Sequence, residues 1–374
     1  MLPFSARDMA SGKPRRLHGR GCLRVRRLAR RLLLNSRALS ALLLLLLLGT
    51  WHPGLFFTDY SQPSKAYAVL HYDREVELAA NVSVAKPPTP VPNTVHFIYG
   101  LSEHAENRTF GLMHYLVVKA AHDAIQPDHI YLHYRHQPQG TWYSRAREYL
   151  TPMALPNEPL PHNLSELHYA HESDVLRLLL LMKHGGIYLD MDVLALRSFR
   201  PLRTQWRVIL GTEYVRNTRL VRWPSPGGVA NAVIVAPPNA TFLHRWLATY
   251  ATFDRYEWAT HSVRVPEALA NSGRFDDEVH VAGPRAFYYP TWSPDDAQDG
   301  LPRLYSPSGG RRRHPPRYNF SDGNYAVHLW HSKVEEVYGV ANIFTLEHLC
   351  NVAGVPEPHL SAFQVLARRI YGEC

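Results

Sequence analysis

The stretch AHESDVLRLLLLMKHGGIYLDMDV, residues 170–193, decides how the chain reads. Leu176, Leu178, Leu179, Leu180, Leu181 and Met182 leave almost no polar face, so the helix they form is buried all round. Glu172 or Ser173 can serve its first turn. Lys183 and His184 suit its negative end, and Gly185 can take the left-handed conformation that stops it. A strand over residues 187–196 follows. Alternation sets Ile187, Leu189 and Met191 on one face and Tyr188, Asp190 and Asp192 on the other. Both carboxylates then emerge near the strand's end, where open α/β sheets bind ligands. Side by side they repel and raise each other's pKa unless a cation lies between them. Oxygen donors with open positions suit Mg²⁺ or Mn²⁺, which also bind substrate phosphates.

A bare Asp-X-Asp is commonly no more than a turn. The neighbouring helix adds to it, because Asp174 and Arg177 lie one turn apart on an otherwise apolar surface. Buried charge is costly unless paired, so these two either pair with each other or hold something else. A structural ion pair and a binding role stand level.

Outward from this centre, strands and helices alternate. Residues 94–99 read as a strand stopped by Gly100, followed by a helix over 109–124, a strand over 130–134 and a helix over 142–150. Strands at 208–211 and 229–236 precede a helix over 241–250, with Phe242, Leu243, Trp246 and Leu247 on one side. Residues 293–317, rich in Pro, Gly, Asp and Arg, read as long loops. A strand over 325–330 and a terminal helix over 360–371 close the chain. This alternation predicts an α/β fold with a parallel sheet.

The chain has 374 residues, 45% hydrophobic and 20% charged, which is ordinary globular material with ample core. Its formal charge of +9 is concentrated at one end. Residues 1–37 carry eleven Lys/Arg against one acid, Asp8, so the remainder comes to about −1. A folded part this near neutrality argues against a nucleic-acid partner. Residues 38–57 include seven consecutive leucines and carry no formal charge over 20 residues, about the length that crosses a bilayer. The preceding arginines assign that side to the cytoplasm; a signal peptide is the rival reading, but its basic leader would be unusually long and Trp51-His52-Pro53 offers no small-residue cleavage site. The expected plan is a basic cytoplasmic tail at 1–37, a transmembrane signal anchor at 38–57, a Pro-rich stem at 58–92 and a folded domain at 93–374. Asn81, Asn107, Asn163, Asn239 and Asn319 are Asn-X-Ser/Thr acceptors beyond the anchor, which fits a secretory compartment. Three cysteines are too few for a disulfide scaffold or a Cys-based zinc site. Cys350 and Cys374 can pair in the lumen, although spacing alone does not show it.

The run from Ser173 and Asp174 through Arg177, Lys183, Gly185, Gly186, Tyr188 and Asp190 to Asp192 and Val193 resembles the glycosyltransferase sugar-binding region containing the DXD motif. That family includes Golgi α1,4-galactosyltransferases, α1,4-N-acetylglucosaminyltransferases and fungal mannosyltransferases. Weaker likenesses at residues 95–100, 228–236 and 326–330 extend it over about 94–333; Tyr99 stands where the family often has Trp. The resemblance implies a GT-A-like domain, a Rossmann-like mixed sheet flanked by helices. It implies that Asp192 ligates Mn²⁺ or Mg²⁺, that Asp190 touches the metal or the donor ribose, and that His328 is the third ligand, with His331 as rival. It puts Phe97, Tyr99, Gly186, Tyr188 and Lys333 on the donor side, the last for the diphosphate and Tyr99 for the base. Asp174 and Arg177 would hold the donor sugar or order the motif, and Asn231 and Trp330 would face the acceptor.

The expected activity is that of a Golgi type II membrane hexosyltransferase. It would move a hexose or N-acetylhexosamine from a nucleotide sugar, a UDP-sugar first, to a glycan acceptor on lipid or protein, metal dependent and retaining. The alternative is a catalytically inactive transferase-like lumenal protein that binds glycans or nucleotide sugars. Taken alone, Tyr99 reads as packing, His328 as a core histidine, and Arg311, Arg312 and Arg313 as a solvated loop. A metal-dependent phosphoesterase would need a richer ligand cluster. No nucleophile or base stands out; Glu213, Asp254, Asp276 and Asp277 are available acids that the sequence does not rank.

Overall fold

The apolar runs become the strands of one large sheet with helices on both faces. A computed structural model describes residues 90–102, 110–164, 167–213, 228–293, 299–306, 318–320, 323–338, 343–350 and 359–374. The tail, the anchor and the stem up to residue 89 lie outside these, as do Asn81, Asn107 and the three arginines at 311–313. Among the described residues no helix is long and apolar enough to cross a membrane.

In chain order the elements are β1 (Thr94–Tyr99), α1 (Leu112–Ile125), β2 (His129–Tyr134), α2 (Thr141–Ala146), β3 (Thr151–Ala154), α3 (Tyr169–His184), β4 (Gly186–Leu189), β5 (Val193–Ala195), α4 (Arg200–Gln205), β6 (Val208–Thr212) and β7 (Val229–Ala236). There follow α5 (Thr241–Ala248), α6 (Val265–Ala270), β8 (Val279–Ala282), α7 (Leu301–Tyr305), β9 (Ala326–His328), α8 (His331–Tyr338), α9 (Leu346–Cys350) and α10 (Ala362–Tyr371). Seven strands form one sheet in the order β3-β2-β1-β4-β7-β6-β8, while β5 pairs with β9 in a second. β1 is parallel to β2 and β4, β2 to β3, and β6 to β8; β7 is antiparallel to both its neighbours. The sheet is therefore mixed, where alternation alone pointed to a parallel one. β1, β2, β4 and β6 all end at the same edge.

Each face has its own core. On one, Val175, Leu178 and Leu181 of α3 pack with Phe242 and Trp246 of α5 against Tyr188 and Ile234. On the other, Leu116 and Val117 of α1, Phe363 of α10, Phe287 and Val327 pack against Phe97, Ile187 and Leu189. The double glycine is a steric requirement of the turn from α3 into β4. Gly185 and Gly186 have φ of 64° and 111°. A Cβ on Gly186 would lie 2.5 Å from the Thr94 carbonyl oxygen, and one on Gly185 2.6 Å from Pro238 Cδ.

Several expectations are corrected. α3 begins at Tyr169 and His168 caps it, Nδ1 accepting the Ala170 N–H at 3.3 Å; Glu172 does lie in the first turn, and Ser173 follows it. The strand expected over 187–196 breaks into β4 and β5. The helix expected over 142–150 stops at Ala146, because the chain must extend again into β3. The strand over 325–330 is paired only at β9, and part of the loop over 293–317 winds into α7. Cys350 and Cys374 are bonded to each other, tying α9 to the chain beyond α10. Asn239 and Asn319 are exposed, and Asn163 lies in a short 3₁₀ turn, Pro161–Asn163.

A histidine pair is locked beneath the start of β4. His96 Nε2 lies 3.0 Å from the Gly185 carbonyl, which can only accept, so His96 carries its proton there. Its Nδ1 then accepts from His133 Nε2 at 3.0 Å. Both rings are neutral: burial pushes His96 down to about 4 and His133 to about 3, with the neighbouring His184 adding to both. The unfolded chain, titrating near 6.5, binds more protons as pH falls, so this stability is present above about pH 6.5 and lost on acidification. For His96 the loss is on the order of 3 kcal/mol between pH 6.5 and 4. Denaturant midpoints at pH 7.5 and 4.5 check this, and a pH-independent midpoint would refute the buried neutral pair.

Candidate active site

Asp190-Met191-Asp192 is a corner between two sheets. β4 ends at Leu189, and the Val193 N–H donates to the Asp190 carbonyl at 3.0 Å, closing a turn. The chain then leaves the large sheet, and β5 pairs with β9, setting Val193 opposite His328. Three hydrogen bonds from backbone N–H groups fix the corner. The Asp190 N–H donates to the Ala232 carbonyl at 2.9 Å, the Leu329 N–H to the Asp192 carbonyl at 2.7 Å, and the His331 N–H to Asp192 Oδ2 at 3.0 Å. The Trp330 N–H donates to His328 Nδ1 at 3.1 Å, while His328 Nε2 lies 3.4 Å from Asp192 Oδ1.

Asp190, Asp192 and His328 each offer one donor atom, all within 4.8 Å of one another. Donors about 2.1 Å from a shared Mg²⁺ or Mn²⁺ lie at most about 4.2 Å apart, so an inward move of about half an ångström closes them on an ion. Two carboxylates and an imidazole suit such a cation, and side-chain exposures of 27%, 19% and 11% leave it a way in. A neutral ring that ligates through Nε2 carries its proton on Nδ1, so ligation would release the Trp330 N–H.

Beneath the corner, β7 bulges. Ile209 pairs with Val235 but Gly211 with Ala230, so two steps of β6 face five of β7. Tyr288 pins the bulge, its hydroxyl donating to the Ala230 carbonyl and accepting the Val233 N–H, both at 3.0 Å. The bulge delivers Asn231, whose Nδ2 donates to Asp174 Oδ1 at 2.7 Å and whose carbonyl accepts Arg177 Nη1 at 2.9 Å. Arg177 is buried. Its guanidinium also reaches Asp190 Oδ1 and Asp174 Oδ1, each at 3.2 Å, and the Ser173 hydroxyl and carbonyl at 3.0 and 3.1 Å. It lies 4.6 Å over the Tyr188 ring, and the Tyr188 hydroxyl donates to Asp190 Oδ1 at 2.6 Å. Burial would lower the Arg177 pKa, but Asp190, Tyr188 and Asp174 hold it above its ordinary value. Burial raises Asp190, Arg177 pulls it back and Asp192 pushes it up again; the net direction is upward.

The remaining candidates fall in different places. Phe97 is enclosed in the core, and Gly186 stands at the far end of β4, shaped by packing. Tyr99 is half-buried at the end of β1, its ring edge-on to Phe110 and His114 at 5.4 and 4.9 Å. Trp330 is buried, with Nε1 donating to the Pro290 carbonyl at 2.9 Å and its ring 4.0 Å from His328. His331 turns its main chain to Asp192 and its ring to Phe344 at 5.2 Å. Lys333 is exposed on the first turn of α8.

Two more residues gain their place only in three dimensions, one of them among the acids already named. His114 of α1 feels the charges of both Asp192 and His331, and burial pushes it down to about 3; nothing in the sequence marks it. Glu213, just past β6, lies at the edge where β4 delivers the acids. Burial pushes its carboxyl up to about 7. It shares a face with Gly211, where a Cβ would lie 2.5 Å from Phe287 and 2.8 Å from Tyr288.

Arg177→Ala removes the counter-charge of two acids and should cost about 3–5 kcal/mol. Arg177→Lys, which keeps the charge but not the fork of donors, should cost less. Chemical denaturation measures both, and a loss under about 1 kcal/mol for the alanine variant would contradict a structural Arg177.

The family described as glycosyltransferase sugar-binding region containing DXD motif matches residues 101–209, a span that holds α3 and both aspartates. Glucan organizing enzyme 1 of Cryptococcus neoformans var. grubii is 34% identical over 281 residues, covering 72% of this chain and 71% of that protein. Among solved structures, the galactosyltransferase LgtC with donor and acceptor sugar analogues is similar at 17% identity and TM-score 0.28, over 52% of this chain and 74% of that one. Mouse xyloside xylosyltransferase 1 is similar at 12% identity and TM-score 0.33, over 53% and 87%. With the fungal relative aligned across more than two thirds of both proteins and the family match taking in the acid corner, the chain belongs to the glycosyltransferases whose sugar-binding region contains the DXD motif.

Proposed function

We propose that this glycosyltransferase moves a hexose or N-acetylhexosamine from a nucleotide sugar, a UDP-sugar first, to a glycan acceptor on lipid or protein. The observation that carries the reading is the cluster of Asp190, Asp192 and His328 at the edge where β1, β4 and β6 end. Bound there, Mn²⁺ or Mg²⁺ would offset the negative charge that grows on the departing diphosphate. The chain's own residues do the rest. Arg177 and Tyr188 hold Asp190, and the His331 N–H holds Asp192. Tyr99 offers a ring for the base and Lys333 a charge for the diphosphate. The acceptor hydroxyl oxygen bonds to the anomeric carbon as the carbon–oxygen bond to the diphosphate breaks. The electron pair leaves on the phosphate oxygen, which takes the acceptor's proton on the same face, so configuration is retained.

The chain is read as a single-pass type II protein of the Golgi membrane with this domain lumenal. The uncharged run at 38–57 behind a basic tail supports that topology. Asn81, Asn107, Asn163, Asn239 and Asn319 are the expected glycan attachment sites. The fungal relative's name makes gluco-oligosaccharides the first acceptors to try.

A thermal-shift screen of UDP-, GDP- and CMP-sugars with Mn²⁺ should show one donor that raises Tm, because a ligand that binds only the folded state stabilises it. That donor should be hydrolysed or transferred, and Asp192→Asn or a chelator should lower turnover by about 10²-fold or more. Turnover undiminished in either case would overturn the metal-dependent reading.

A further inference from the structure

Three large aromatic side chains stand exposed near the first turn of α3. Tyr256 is 89% exposed, Trp258 61% and Tyr169 38%. Single exposed aromatics are ordinary, but Tyr169 and Trp258 meet through His168, and Tyr256 is two residues from Trp258 in the chain. The Trp258 ring lies 5.3 Å from His168 and 4.8 Å from His171, and His168 lies 4.1 Å from Tyr169. Their backbone is braced. The Tyr256 N–H donates to Asp254 Oδ1 at 2.9 Å, the Glu257 N–H to the Asp254 carbonyl at 3.1 Å, and the Thr260 hydroxyl to Glu257 Oε2 at 3.2 Å.

A chain of contacts leads from Trp258 through His171 to the site. His171 Nδ1 lies 3.5 Å from Asp174 Oδ2, Asp174 pairs with Arg177, and Arg177 pairs with Asp190. Topology agrees, since α3 runs back along the sheet and its first turn stands at the edge where β4 ends. Glu172 of that turn bonds Arg135, just past the end of β2, at 2.5 Å.

We propose that Tyr256, Trp258 and Tyr169 form a stacking platform on which the acceptor glycan lies as it approaches the acid corner. The proposal rests on the glycosyl-transfer reading. A pyranose presents a flat C–H face to an aromatic ring and keeps its hydroxyls at the rim. Asp254, Arg255 and Glu257, neighbours of the rings in the chain, supply acceptors and donors for those hydroxyls. Aromatic bodies with polar surroundings suit such an amphipathic ligand, because the rings gain cover while the hydroxyls stay hydrogen-bonded.

The test uses the full-length protein without donor or metal. Maltotetraose, cellotetraose, laminaritetraose and galacto-oligosaccharides are titrated by calorimetry and by tryptophan fluorescence. At least one should bind, and the double variant Tyr256→Ala/Trp258→Ala should bind it about tenfold more weakly or worse. An unchanged melting temperature confirms that the variant folds, which the exposure of both rings favours. The platform is overturned if no oligosaccharide binds or if the double variant binds as well as the wild type. It is also overturned if the wild type self-associates through this patch and the variant does not. Donor hydrolysis by the wild type with Mn²⁺ needs no acceptor and judges the transfer reading separately: binding without hydrolysis keeps the platform and sinks the proposed donor chemistry.

Discussion

The buried guanidinium of Arg177 is the constraint on which the rest of the site depends. A cation inside an otherwise apolar helix is tolerable only if surrounding groups answer its charge and saturate its donors. Here those groups come from three elements: Asp174 and Ser173 from α3, Asp190 from the end of β4, and the Asn231 carbonyl from the bulge of β7. The same apolar packing that drives α3 onto the sheet therefore also fixes where Asp190 stands. Core stability and site geometry are one problem in this region.

The bulge and the corner are linked. β4 pairs with β7 as far as Leu189 opposite Val233, and beyond it β7 departs from regular pairing. Asp190 still bonds Ala232, but the next residues turn away and β5 finds β9 instead. That exchange brings His328 to Asp192 from 136 residues later in the chain. The small second sheet serves as the clamp that joins the C-terminal part of the chain to the acids.

Much of this scaffold was legible. Leucine on every face of α3 marks a buried helix, and the double glycine marks a turn with no room for a side chain. The β-branched run at 229–236 coincides with β7. The terminal helix starts one residue beyond Ser361, whose side chain and that of Gln364 satisfy each other's backbone N–H groups. The corner was not legible, because period-two alternation continues unbroken from Ile187 through Asp192 and offers no stop. Alternation set both carboxylates on one face of a continuous strand; they are neighbours because the chain turns. The bulge at Asn231, the pairing of β5 with β9 and the partial burial of Glu213 and His114 are tertiary, and no local pattern encodes them. Asn231, expected on the acceptor side, has its amide committed to Asp174 below the acids.

The two aspartates are also unequal. Asp190 Oδ1 already accepts the Tyr188 hydroxyl and faces Arg177, so much of its charge is answered by the protein. Asp192 receives one backbone N–H on Oδ2 and turns Oδ1 to His328. A cation bound at the corner would therefore find the carboxylate less answered by the protein at Asp192. Asp190, held on the Arg177 side, would add its oxygen to any such ion from a position that the core has already set. The division leaves one carboxylate to anchor the motif and the other to engage what binds there.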